Sequence, residues 1–166
     1  MTNKTRSIAM TAIVAALYAT ITITLSFISY GPIQFRLAEI MTLLPLLNKK
    51  YILGLTLGCF LANVLGTYGV VDTIFGTIAT FISVYLVYLT GKLMKDKKSK
   101  VLISSLWPTI VNAIIIGIEL KVFFGFPLFL SMMQVGFGQF VVITIIGVPL
   151  FKSINNKYGK YLKNMF

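Results

Sequence analysis

The sequence predicts an all-α integral membrane protein, a single domain over residues 1–166 with six transmembrane helices. Of its residues 57% are hydrophobic and only 11% are charged, and the mean hydropathy is +0.90. A soluble domain carries about 25% charged residues, whereas long uninterrupted apolar stretches are typical of membrane spans. The charges are also segregated, because every Lys and Arg except Arg36 and Lys121 falls in the gaps at one end of the predicted bundle.

The apolar stretches place six predicted spans along the chain. Their approximate bounds are residues 8–28, 34–47, 51–67, 72–92, 101–120 and 131–152. At about 1.5 Å per residue, most of these segments can cross a hydrocarbon core of about 30 Å. The second is too short to cross alone unless it packs against its neighbours, and Pro108 is a candidate kink in the fifth.

The distribution of basic residues predicts the orientation. Six spans bring both termini to one side, together with the basic pair Lys49 and Lys50 and the lysine-rich loop 92–100. The positive-inside rule then predicts a cell-membrane protein with both termini in the cytoplasm. The net charge of +11 does not indicate nucleic-acid binding, because the basic residues lie between spans and not along a groove or a recognition helix.

Several kinds of chemistry are missing from the chain. It has no histidine and one cysteine, Cys59, which excludes His-based catalysis, an internal disulfide and a His or Cys metal cluster. No P-loop motif occurs, because Gly91–Lys92 is followed by leucine. We therefore expect no enzyme activity, no catalytic residue, no metal and no bound cofactor.

Polar side chains gather towards the outward ends of the predicted spans. A carboxylate near the membrane centre costs roughly 2.5–3.5 kcal/mol on insertion scales, so such residues are candidate functional residues. Asn112 lies two helical turns from Glu119 and therefore on the same face. The candidate ligand-binding residues are Arg36, Glu39, Asn63, Tyr68, Asp72, Asn112, Glu119 and Gln139.

Structural roles are the alternative for each of these residues. Arg36 and Glu39 are three residues apart and can pair on one helix. Asp72 precedes an apolar run and can cap a helix, Glu119 can mark the membrane boundary, and Asn112 can bond to a neighbouring backbone. Three carboxylates converging on one face remain harder to explain as unrelated caps and boundaries.

Small residues predict close helix packing in the first and third spans. The third has Gly54, Gly58, Ala62 and Gly66 at intervals of four, including a GxxxG motif, for which internal packing is the favoured interpretation. The first has two small-xxx-small pairs, which either pack internally or form a flat docking surface for another membrane protein. These pairs are Ala12 with Ala16 and Ala15 with Ala19.

Three stretches carry a resemblance to a known family. They are YGPIQFRLAEIMTLLPLL (residues 30–47), GLTLGCFLANVLGTYGVVDTIFGTIAT (54–80) and LWPTIVNAIIIGIEL (106–120). With the six spans and the alanine-rich first helix, they resemble the substrate-binding S components of energy-coupling factor (ECF) transporters, and within these the QueT family of queuosine-precursor importers. The resemblance covers about residues 8–150. It departs at Gln139, where we expect the family to carry Glu more often.

The resemblance implies an S-component-like bundle, monomeric when alone, that captures its ligand from outside. It implies association with a transmembrane EcfT protein through the alanine face of the first helix, and with EcfA-type ATPases that alone use ATP. The implied ligand is a deazapurine, either 7-aminomethyl-7-deazaguanine or queuine. A carboxylate can accept two N–H bonds from a guanine edge, and a second can pair with an ammonium group. Candidates to cover the ring are Phe35, Tyr68, Phe75, Phe123 and Phe124.

Two other functions remain open at this point. One is an S component for another vitamin, such as thiamine or riboflavin. The other is a membrane scaffold subunit without a small ligand, in which the carboxylates would all form internal pairs.

Overall fold

The computed structural model describes residues 3–31, 33–66, 69–95, 97 and 99–166, and it is helical with no strand in these ranges. This confirms the predicted all-α class. In chain order the elements are α1 (Asn3–Thr24), α2 (Ser26–Ser29), a 3₁₀ helix (Leu37–Leu46), α3 (Tyr51–Val64), α4 (Gly69–Leu93), α5 (Lys100–Phe124), α6 (Leu128–Gln139), a π-helical segment (Phe140–Gly147) and α7 (Val148–Lys163).

Four helices of the described chain are long and apolar enough to cross a membrane. They are α1, α4, α5 and the continuous 36-residue helix Leu128–Lys163, which joins α6, the π-helical segment and α7. The 3₁₀ helix and α3 each extend only about 20 Å, at about 2.0 and 1.5 Å per residue. All six predicted segments are therefore helical, but two of them are shorter than a bilayer core.

The helix ends differ from the predicted bounds for local reasons. α4 begins at Gly69, whose φ of 61° favours glycine, so the predicted start at residue 72 is three residues late. α5 continues past the predicted end at residue 120 and stops at Gly125, which adopts a left-handed conformation and bonds back to the carbonyls of Leu120 and Lys121. Pro108 lies inside α5 without ending it.

The small residues of α3 allow it to lie directly against α1. A Cβ atom added to Gly54 would stand 3.0 Å from Cβ of Val14, and one added to Gly58 would stand 2.9 Å from the carbonyl oxygen of Ala15. No larger side chain fits at these two positions without displacing α1. Internal packing is therefore the role of this small-residue stripe.

The bundle has apolar side chains outside and many polar ones inside. Leu17, Ile78 and Ile114 are about half exposed on α1, α4 and α5. Thr22 and Ser83, in contrast, are fully buried in the interior. A lipid-facing exterior with hydrogen-bonded polar groups between helices is the arrangement expected of a multi-pass membrane protein.

The two ends of the chain meet at one end of the bundle. The Arg6 guanidinium donates to the carbonyl oxygen of Asn164 at 3.2 Å, and the Asn48 amide donates to that of Lys163 at 3.0 Å. The hydroxyl of Tyr51 donates to the carbonyl oxygen of Leu162 at 2.9 Å. The N-terminal segment, the turn before α3 and the end of α7 therefore form a common basic end, as the charge distribution predicts.

Candidate ligand-binding site

A cluster of ionisable side chains is buried between the helices, away from the basic end. Arg36 directly precedes the 3₁₀ helix, Glu39 lies in its first turn, Asp72 in the first turn of α4, and Glu119 near the end of α5. Each of the four is less than a tenth exposed. The 3₁₀ helix contacts α1, α4 and α5. Glu39 and the adjacent Arg36 therefore lie among the helices that carry Asp72 and Glu119.

Arg36 forms an ion pair across helices. Its Nη2 atom lies 2.9 Å from Oδ2 of Asp72, and its Nε donates to the carbonyl oxygen of Ser29 at 3.4 Å. Its guanidinium carbon also lies 5.3 Å from the ring centre of Tyr30. The pair fixes the chain before the 3₁₀ helix against the first turn of α4. Two structural roles considered from the sequence are therefore wrong. Arg36 pairs with Asp72 and not with Glu39, and Asp72 lies inside α4 and not at its N-cap.

Glu39 has one satisfied and one unsatisfied oxygen. Its Oε1 accepts a hydrogen bond from the hydroxyl of Tyr18 on α1, while its Oε2 has no hydrogen-bond partner among the described residues. Tyr18 was not among the predicted site residues. Its only sequence signal is that it is the sole aromatic side chain in the alanine-rich first helix.

Asn63 links α3 to the start of α4. Its Nδ2 donates to the carbonyl oxygen of Asp72 at 3.0 Å and contacts Sγ of Cys59 at 3.4 Å. Gly76 lies beside this contact, where an added Cβ would run into the Asn63 amide and stand 3.0 Å from Oδ1 of Asp72. The glycine therefore leaves room for the two polar side chains to approach each other.

Glu119 differs from the other two buried carboxylates. Neither of its side-chain oxygens has a hydrogen-bond partner in the described part of the chain, although it is only 1% exposed. It lies near the end of α5, which packs against α4, the helix that carries Asp72. A buried carboxylate without a partner is costly, which makes Glu119 a candidate for contact with a ligand.

Two amides complete the polar interior. Asn112 on α5 and Gln139 at the end of α6 are 5% and 2% exposed, and each has one unpartnered side-chain atom, Nδ2 and Oε1 respectively. Gln139 follows Gly138, whose missing side chain lets α6 approach the backbone of Gln34. The predicted candidates Arg36, Glu39, Asp72 and Glu119 are thus brought together, while Tyr68 lies outside the described residues.

The unsatisfied atoms of these candidates are mostly acceptors. Among the buried carboxylate and amide atoms of the described residues, Nδ2 of Asn112 is the only donor without a hydrogen-bond partner. The unpartnered acceptors are Oε2 of Glu39, Oδ1 of Asn63, Oδ1 of Asp72, both oxygens of Glu119 and Oε1 of Gln139. Three carboxylates face one guanidinium, so the cluster favours a ligand that is rich in N–H donors and positively charged.

Comparison with known proteins agrees with the helical membrane architecture. Residues 8–156 match the family described as QueT transporter. The chain belongs to the QueT transporter family. It is also 39% identical to the queuosine precursor transporter QueT of Lactococcus lactis subsp. cremoris (strain MG1363) over 131 aligned residues. The alignment covers 78% of this chain and 68% of that relative. No solved structure matches the chain.

This membership confirms the resemblance seen in the sequence. The QueT family and the matching relative are transporters, in agreement with a function other than catalysis. A transporter family and several long apolar helices together indicate a multi-pass membrane protein.

The alanines of α1 divide into two faces. Ala15 and Ala19 are 4% and 7% exposed, and the backbone of Ala15 lies against Gly58 of α3. Both side chains pack inside the bundle, so they cannot form part of the predicted docking surface. Ala12 and Ala16 are exposed, so the predicted docking surface for a partner protein is limited to this pair.

Proposed function

We propose that this protein is the substrate-binding S component of an ECF-type importer and that it binds a queuosine precursor of the 7-deazaguanine class. The observation that carries the proposal is Glu119, a buried carboxylate whose two oxygens have no partner in the described chain. The name of the Lactococcus relative supplies the ligand class. The unsatisfied acceptors around Glu119 supply a chemical reason for it.

The proposed ligand offers hydrogen-bond donors where the site has unpartnered acceptors. A guanine edge presents adjacent N–H donors, and a carboxylate with two free oxygens can accept a pair of them in parallel. Glu119 meets this requirement, since the other two carboxylates each have one oxygen engaged by Tyr18 or Arg36. In 7-aminomethyl-7-deazaguanine the ammonium group can pair with a free oxygen of Glu39 or Asp72.

A binding panel tests this function directly. Purified protein is titrated with 7-aminomethyl-7-deazaguanine, queuine, guanine, thiamine and riboflavin, and bound ligand is identified by native mass spectrometry. We expect a deazaguanine to bind at least tenfold more tightly than guanine, thiamine or riboflavin. Preferential binding of a vitamin would assign the chain a different cargo, and binding of none would support a scaffold role.

The proposal includes the predicted orientation, with the basic end in the cytoplasm. A cysteine introduced at exposed Ser99 should react with an impermeant maleimide only in inside-out vesicles. One introduced at Val122, which is 66% exposed near the other end of α5, should react in intact cells. Native Cys59 is buried and gives no background. Labelling of position 99 in intact cells would reverse the orientation.

The proposal also includes docking to a transmembrane EcfT partner through Ala12 and Ala16. Replacing both with tryptophan should abolish uptake in cells, because bulky side chains prevent close helix approach. Ligand affinity of the isolated protein should change less than twofold, since neither residue contacts the polar cluster. The matched control is Ile78→Trp on the exposed face of α4, which should retain uptake. Lost ligand binding in the double variant would instead show that this face supports the fold.

A further inference from the structure

A second concave site lies at the basic end of the bundle, remote from the polar cluster. The cavity has a volume of about 370 Å³ and lies between the end of the 3₁₀ helix, the start of α5 and the inner face of α7. This volume is within the range of small-molecule sites, about 300–1,000 Å³. Three lysines, Lys100, Lys160 and Lys163, line the cavity together with apolar residues that include Leu46 and Phe151.

The three lysines have no acidic counterpart in the described chain. The side-chain carboxylates of the described residues are Glu39, Asp72 and Glu119, all of them in the buried polar cluster. The Lys100 ammonium donates to the carbonyl oxygen of Lys95 at 3.1 Å, which leaves it further N–H donors. The described lining of the cavity therefore combines three cations with apolar side chains.

The position of Lys100 is the most informative detail. Lys160 and Lys163 lie in the last turn of α7, where cations are favourable to the helix dipole. Lys100, in contrast, is the first residue of α5, where a cation is unfavourable, and the first turn of α5 carries neither an acidic residue nor a side-chain cap. Topology alone requires positive charge in this loop, but it does not require that a lysine line a partly apolar cavity. An anion would relieve both the helix end and the lysines.

We propose that this cavity binds the headgroup of an anionic phospholipid from the leaflet at the basic end. The phosphodiester would lie among the three lysines, and the glycerol and first acyl carbons would contact the apolar lining residues, among them Phe151. A basic pocket between membrane helices on the side rich in lysine is a suitable receptor for such a headgroup. The inference is independent of the deazaguanine ligand, because no residue is shared between the two sites.

The test measures lipid binding to the purified full chain. Dioleoyl phosphatidylglycerol and dioleoyl phosphatidylcholine are titrated separately, with inorganic phosphate in a third arm, and bound lipid is counted by native mass spectrometry. We expect phosphatidylglycerol to bind at least tenfold more tightly than phosphatidylcholine. Each lysine near an anionic lipid contributes about fivefold, so Lys160→Gln with Lys163→Gln should weaken phosphatidylglycerol binding about 25-fold.

Two further variants make the test specific to the cavity. Lys152→Gln with Lys157→Gln removes the same charge from exposed positions of α7 that do not line the cavity, and should change binding less than threefold. Gly159→Leu keeps every lysine but adds a side chain at a cavity-lining position beside Asn155, and should weaken binding at least fivefold.

Three results would overturn the proposal. Equal losses in the two lysine pairs would indicate diffuse surface charge, and equal binding of both lipids would exclude headgroup recognition. Inorganic phosphate binding as tightly as phosphatidylglycerol would make the cavity a phosphate site. Unchanged lipid binding in all variants, with uptake lost in cells, would likewise refute the lipid and assign the lysines to a protein partner.

Discussion

Replacing Arg36 with methionine is expected to lower the free energy of unfolding by about 3–5 kcal/mol, the usual cost of breaking a buried ion pair from one side. Asp72 would remain in place, about 1% exposed at its side chain and without its guanidinium partner. The chain between Ser29 and the 3₁₀ helix would also lose the hydrogen bond of the Arg36 side chain. Denaturation of the purified protein in detergent, followed by circular dichroism, measures the effect.

Two further variants test whether the loss of stability comes from the Arg36–Asp72 ion pair itself. Lys121→Met removes an exposed cation from α5 and should change stability by less than about 0.5 kcal/mol. Adding Asp72→Leu to Arg36→Met removes both charges and should recover much of the loss, because an apolar pair can replace a buried ion pair at little cost. If Arg36→Met is as stable as Lys121→Met, the ion pair does not hold this part of the fold.

Replacing Glu119 with glutamine is expected to weaken deazaguanine binding about ten- to a hundredfold, which corresponds to about 1–3 kcal/mol. The amide cannot accept two parallel N–H bonds, so one ligand donor would be left unsatisfied. Stability without ligand should be unchanged or higher, because the variant no longer buries an unpartnered carboxylate. Isothermal titration calorimetry and thermal denaturation of the same preparation measure both quantities.

The matched control is Asp96→Asn, which neutralises the one carboxylate that the sequence places in the basic 92–100 loop. It should bind ligand like the unmodified protein. Glu39→Gln and Asp72→Asn should also weaken binding, but with a loss of stability, because both side chains have partners within the protein. Wild-type affinity in Glu119→Gln would remove this residue from the site.

The helices themselves could be predicted from hydropathy, because each apolar stretch is separated from the next by charged or turn-forming residues. The conformation of the second segment could not, since a 3₁₀ helix across Pro45 depends on packing against α1, α4 and α5. The continuity of α6 and α7 was also missed, because the sixth predicted span ended where the composition becomes polar.

The candidate site was predictable in its composition but not in its pairing. Polar residues at membrane depth identify Arg36, Glu39, Asp72 and Glu119, whereas the partner of each depends on which helices touch. From sequence, the dense resemblance around Glu39 and Asp72 favours them as ligand contacts over Glu119. The proposed site instead gives Glu119 the main ligand contact, because internal partners already occupy one oxygen of Glu39 and one of Asp72. The two faces of the first helix show the same limit. Ala15 is buried because it packs against Gly58 of α3, whereas Ala16 is exposed, and the sequence of α1 alone does not separate them.

The length of the last helix has a consequence for how the protein lies in a bilayer. At about 1.5 Å per residue, 36 residues extend about 54 Å, well beyond a hydrocarbon core of about 30 Å. Such a mismatch would demand a steep tilt if the whole helix were apolar. It is not, because lysines begin at Lys152, and residues 128–151 alone extend about 36 Å. A modest tilt then suffices. The lysine-bearing part of α7 lies beyond the hydrocarbon core, where Asn48 and Tyr51 donate hydrogen bonds to its last turn and hold it against the basic end of the bundle.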